Sequence, residues 1–164
     1  MIKKGQMKIS FGMIFSIILI VIFLAFTFFA IQKFLKIQDS VKIGKFMQDI
    51  QSDVDKMWNS QGSQAEEYIL PSKVKYVCFA DFNKPKSGEN QNFYDKLKQV
   101  FYEYENMFFY PVGSGKGTDA KQVKHLDIGN ITENENPYCI ENIKGKITMI
   151  IKKDYGVPGV VISK

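Results

Sequence analysis

Polar and apolar positions change period twice along the chain, and each change marks an element. From Ile9 to Ile31 twenty-three residues pass without one charged side chain. Only Ser10, Ser16 and Thr27 interrupt the run as polar groups, and their hydroxyls can bond back to their own helix. At about 1.5 Å per residue such a helix is about 34 Å long, enough to cross a hydrocarbon core of roughly 30 Å. A core helix of a globular domain would show a polar stripe at 3.6 spacing, and this run has none. The pattern predicts a basic leader over 1–8 and a transmembrane helix over 9–31.

From Phe34 the period becomes amphipathic. Phe34, Ile37, Val41, Ile43, Phe46, Met47, Ile50, Val54, Met57 and Trp58 recur at steps of three and four, with Lys, Asp, Gln and Ser opposite. This predicts a helical extension over 32–60, ended by the Asn-Ser-Gln-Gly-Ser run at 59–63 and weakest near Asp39-Ser40 or Gly44. A stripe this regular is expected to pack on the protein's own domain more than on a partner coiled coil.

Past residue 61 the alternation shortens. Lys73 to Ala80 reads as a strand entering a core, and Asp81 to Asn92 as a polar loop. Phe93, Leu97, Val100, Phe101 and Tyr104 space as one short helix, with Asn92 as its cap. Asn106–Val112 reads as a short aromatic strand and Val123–Ile128 as an edge strand. Lys146–Lys152 and Val157–Ser163 read as an antiparallel pair. The expected fold is α+β: a long N-terminal helix, transmembrane and then amphipathic, packed on a small, mostly antiparallel sheet domain over 61–164 with one short helix.

Charge narrows the function classes. Nineteen of the 22 lysines and all 17 acids follow Ile31, so the part outside the apolar run carries only +2, no footprint for nucleic acid. There is no Arg to form a bidentate phosphate or carboxylate clamp. The apolar run exceeds the roughly 7–15 residues of a secretory signal, and Ala-Phe-Thr-Phe-Phe-Ala at 25–30 is a poor cleavage site, which favours a retained anchor. Lysines flank it on both sides, so they set no orientation. Cys78 and Cys139, the only cysteines, are either a disulfide across a loop of about 60 residues or two buried thiols; the disulfide, suited to an exported domain, is favoured. Asn130-Ile131-Thr132 is a glycosylation acceptor in a polar stretch. Both features point to a single-pass protein with a cytoplasmic N-terminus and its C-terminal domain extracytoplasmic or at the cell surface.

The leader adds Lys4-Gly5-Gln6 directly ahead of the apolar run. With the long helix and the sheet behind it, this resembles the type IV pilin superfamily, and more closely the archaeal pilin-like proteins with class III (prepilin-type) signal peptides. The resemblance implies cleavage between Gly5 and Gln6, and a structural role as a filament or pseudopilus subunit. It also implies contact with membrane lipid and association with itself or other pilin-like subunits through the N-terminal helix. The pattern departs from the family at the fifth mature position, where polymerising members carry Glu and this chain has Ser10; realigned by two residues, the position is Gly12. An uncleaved single-pass protein with an extracytoplasmic binding domain is the alternative.

No catalytic constellation emerges, and no enzyme, cofactor or metal site is expected. Gly113-Ser114-Gly115-Lys116-Gly117-Thr118 looks like a phosphate loop, but Tyr110 stands where the pattern needs its first Gly, so a surface loop is expected. His125 is the only histidine, expected on an edge strand with Asp127 on the same face. Asp53-Asp55, Glu66-Glu67 and Glu133-Glu135 read as solvated acids, and the Phe101-Tyr102-Tyr104 and Phe108-Phe109-Tyr110 clusters as core.

Overall fold

A computed structural model describes residues 10–164; the expected cleavage site, Gly5 and Gln6, lies outside them. The fold is α+β, a long N-terminal helix and two antiparallel sheets. The chain divides into two compact units, one ending at Gln38 and one over Asp39–Lys164.

Helix α1 runs from Phe11 to Ser60 without a break at Asp39-Ser40 or Gly44. It is long and apolar enough to cross a membrane, and its most apolar window has no buried residue. Ser16 and Thr27 donate to Gly12 O and Phe23 O, both at 2.8 Å, so their hydroxyls are satisfied within the helix.

In the second unit the amphipathic stripe becomes core only from Ile43. Ile43, Phe46, Met47, Ile50, Val54 and Met57 are buried, whereas Val41 is 62% exposed. In the first unit Phe34 and Ile37 are exposed as well.

Strand β1 (Gly62–Ile69) follows the helix at once, unforeseen because only Tyr68 of its eight residues is buried and nothing alternates. It is the edge of a three-stranded sheet, order β1-β6-β7, with β6 at Lys146–Lys153 and β7 at Val161–Ser163. Strand β6 shows clean alternation, with Ile147, Met149 and Ile151 buried toward α1. Tyr68 meets Phe46 edge-on at 5.3 Å and donates to Asp53 Oδ2 at 3.0 Å. Burial and the Asp53 carboxylate together push its pKa well above the usual tyrosine range.

The second sheet has the order β4-β3-β2-β5, with β2 at Tyr76–Phe79, β3 at Met107–Tyr110, β4 at Ala120–Lys121 and β5 at Tyr138–Glu141. It is covered on both faces, as the doubly apolar end of the Lys73–Ala80 segment suggests. Val77, Phe79, Met107 and Phe109 face the helix core, while Cys78, Ala80 and Phe108 face α2 (Gln91–Leu97). The helix expected to reach Tyr104 stops at Leu97; a 3-10 turn follows to Val100, and Phe101 is extended. Beyond it the Glu105 carboxylate accepts from the amides of Tyr102 and Glu103, both at 3.0 Å, which fixes a tight loop. That loop turns Tyr102 and Tyr104 outward, correcting their assignment to the core.

The expected edge strand over Val123–Ile128 is absent. His125 adopts a left-handed φ of +66°, which no strand accommodates. The segment is held instead by Asn106, whose side chain brackets Val123 N and O, and by a single parallel bridge between Leu126 and Val160. Asp127 then caps the one-turn helix α3 (Ile128–Ile131) by accepting from Asn130 N at 3.1 Å.

Candidate functional site

The residues singled out in the sequence do not converge. Cys78 and Cys139 stand directly opposite across β2 and β5 and form a buried disulfide, with Cα atoms 4.0 Å apart. Asn130 is exposed on α3, while Thr132 of the same tripeptide is buried and donates its hydroxyl to Ile128 O. The paired acids separate: Glu67 pairs with Lys146 and Glu135 with Lys164, and Asp53 binds Lys56 and Tyr68. Asp53 thereby raises the Lys56 pKa.

The glycine loop is held by its own carboxylate. Asp119 Oδ1 accepts from Gly115 N at 2.7 Å, the kind of amide that would otherwise cradle an anion. Ser114 is buried and Lys116 takes a left-handed φ of +59°.

One open groove, about 1270 Å³, lies in the second unit between α1 residues 44–59 and the segment 121–125. Its best-built part is an aromatic shelf. The His125 imidazole stacks on the Trp58 indole with centroids 4.7 Å apart and planes 17° off parallel. Lys153 Nζ lies 4.2 Å from the Trp58 ring centroid and donates to Val157 O. Helix spacing delivers the rest: Gln51 and Asp55 are one turn apart, and Gln51 Nε2 donates to Asp55 Oδ1 at 2.7 Å. Gln51 Oε1 accepts from Lys124 N at 3.0 Å, which ties the segment to the helix. His125 Nε2 is 3.9 Å from Asp55 Oδ1, an ion-pair distance too long for a hydrogen bond.

His125 and Asp127 do not share a strand face: His125 turns to Trp58 while Asp127 caps α3. Sequence reading missed the groove because its floor is the polar flank of α1, which reads as solvated, and its wall is a segment that reads as a strand. The visible signal was Gln51, Asp55 and Trp58 at helical spacing. Lysines 56, 121 and 124 line it beside amides, giving a mixed polar and aromatic surface. Among the described residues no group of three or more His, Cys, Asp or Glu is placed to hold a metal ion.

No family model, curated protein or solved structure matches this chain.

Proposed function

We propose that the chain is a pilin-like, membrane-anchored structural protein of the cell surface, a filament or pseudopilus subunit and not an enzyme. The observation that carries this reading is helix α1: over 11–31 it offers lipid an apolar surface on every side, and from Ile43 the same helix is the core of a sheet domain. Lys4-Gly5-Gln6 ahead of it supports processing between Gly5 and Gln6. The disulfide supports an extracytoplasmic domain, with the N-terminus cytoplasmic. In this reading the N-terminal helix contacts lipid and then other copies or related subunits.

The groove beside Trp58 favours a second reading, an uncleaved single-pass protein whose outer domain binds a partner. Intact mass of the mature protein from its native membrane separates the two. A chain beginning at Gln6, with oligomers surviving mild extraction, is expected; a monomer beginning at Met1 rejects the subunit reading in favour of the solitary anchor.

A further inference from the structure

The groove beside Trp58 can be read only by side chains. Along its wall Lys121 O accepts from Asn106 N, the Asn106 side chain binds Val123 at both N and O, Lys124 N donates to Gln51, and His125 O accepts from Val160 N. An extended peptide therefore meets no open strand edge there. Nor does the lining expose an aliphatic side chain to seat an apolar anchor, since Met47 is buried. The groove holds about 1270 Å³, more than the roughly 300–1,000 Å³ of a drug-sized pocket. Its floor from Gln48 to Asn59 is roughly 16 Å of helix, a length that suits a segment of polymer.

Hydroxyl-matching groups and a flat ring fill that length. Gln48 and Gln122 are exposed and make no hydrogen bond among the described residues, and each amide can donate and accept, as a sugar hydroxyl does. Asn59 donates to Asp55 O and keeps Oδ1 as an acceptor. His125 covers one face of the Trp58 indole and Lys153 Nζ lies over the other, so the indole is fixed from both sides. The His125 side chain in front of it stays 40% exposed, a backed platform on which the C–H face of a sugar ring can lie.

Charge decides which saccharide fits. Lys56 is paired with Asp53, and Asp55, the one carboxylate of the lining, accepts from Gln51 and stands 3.9 Å from His125 Nε2. Lys121 and Lys124, on the wall, have no carboxylate partner among the described residues. We propose that the groove binds an acidic polysaccharide: sugar rings lie on the His125–Trp58 stack, hydroxyls meet the amides, and ring carboxylates meet Lys121 and Lys124. This rests on the reading of the unit over Asp39–Lys164 as a binding domain and names the chemistry of its partner. Two unmatched lysines and no Arg are too weak a footprint for a nucleic acid of one phosphate per nucleotide.

The test is titration of the full chain, in a detergent without a sugar headgroup, with oligogalacturonate, its methyl ester, polyglutamate and oligothymidylate. The emission of Trp58, the only tryptophan, reports the stack, and calorimetry gives the affinity. Oligogalacturonate is expected to shift the emission saturably and to bind several-fold more tightly than the ester, an advantage that added salt removes. Lys121→Gln and Lys124→Gln should each weaken the acid roughly two- to five-fold, the effect of one exposed ion pair, and leave the ester unchanged. Lys98→Gln, which removes the same charge outside the groove, should change neither. His125→Asn keeps a residue that tolerates the left-handed backbone and removes the ring, so it should weaken acid and ester alike, by up to roughly ten-fold. An ester that binds as tightly as the acid overturns the acidic class. Tighter binding of polyglutamate or oligothymidylate overturns the saccharide and leaves the binding-domain reading standing. No binding of any of the four overturns both.

Discussion

Single residues decide the loops, and Gly115 gives the sharpest case. A Cβ there would lie 2.5 Å from Thr118 O and 2.9 Å from the Phe109 ring, a backbone oxygen and a core aromatic that cannot move aside. Gly115→Ala should therefore cost about 1–3 kcal/mol, the range for overpacking, seen as a lower unfolding midpoint of the detergent-solubilised chain. Ala at Gly44, where nothing lies within 4 Å, is the matched control and should not destabilise. A null result at Gly115 would mean that the loop is not held by Asp119 as described. Sequence marked this loop by its glycines, yet the residues that shape the groove and the neighbouring turns are less legible. Lys116 and Lys144 take left-handed φ values of +59° and +54° without being of a residue type that favours them, and composition carries no warning of that; His125 takes +66°, a region that histidine enters more often than most residues. The segment around His125 reads as a strand nonetheless. The stack on Trp58, which holds it out of one, joins positions 67 residues apart and has no local signature.

Among elements, helix α1 was legible because its period is long and sustained, while β1 and β5 were not. Strand β1 has one buried residue, so its pairing with β6, Gly62 opposite Lys153 through Ile69 opposite Lys146, is dictated by the partner and not by its own pattern. Strand β5 is four residues long and gains its place from the disulfide and from β2. The amphipathic stripe was right in period and too early in its start, since periodicity identifies a face but not what covers it. That distinction is measurable. Ile50 is fully buried in the core cluster that holds residues of both sheets, so Ile50→Ala should cost about 2–5 kcal/mol. Val41, on the same helix and 62% exposed, should cost within about 0.5 kcal/mol when cut to Ala. Thermal unfolding followed through Trp58, the only tryptophan, reads both. Equal losses would place Val41 under a partner even in detergent.

At the scale of the whole molecule the disulfide links stability to compartment. It joins residues 61 apart and encloses α2, β3, β4 and α3, so the chain-entropy argument gives it roughly 4 kcal/mol, a large share of the stability of a domain this size. Both sulfurs are buried under Phe108 and Leu97, so once formed the bond is shielded from solution thiols. The same bond would be held reduced in a cytosol kept at a glutathione potential. Orientation in the membrane can therefore be read from cysteine chemistry in intact cells. Thiols are trapped with an alkylating reagent before lysis, the protein is denatured, and the mass of the Cys78 and Cys139 peptides is measured. A domain on the outer side should show neither cysteine alkylated until a reductant is added, and the Cys78→Ala, Cys139→Ala double variant should unfold earlier by the loop-closure amount. Full alkylation without reductant would put the domain in a reducing compartment. The cytoplasmic N-terminus would then be rejected, and the filament reading with it, because subunits facing inward could not build a surface structure.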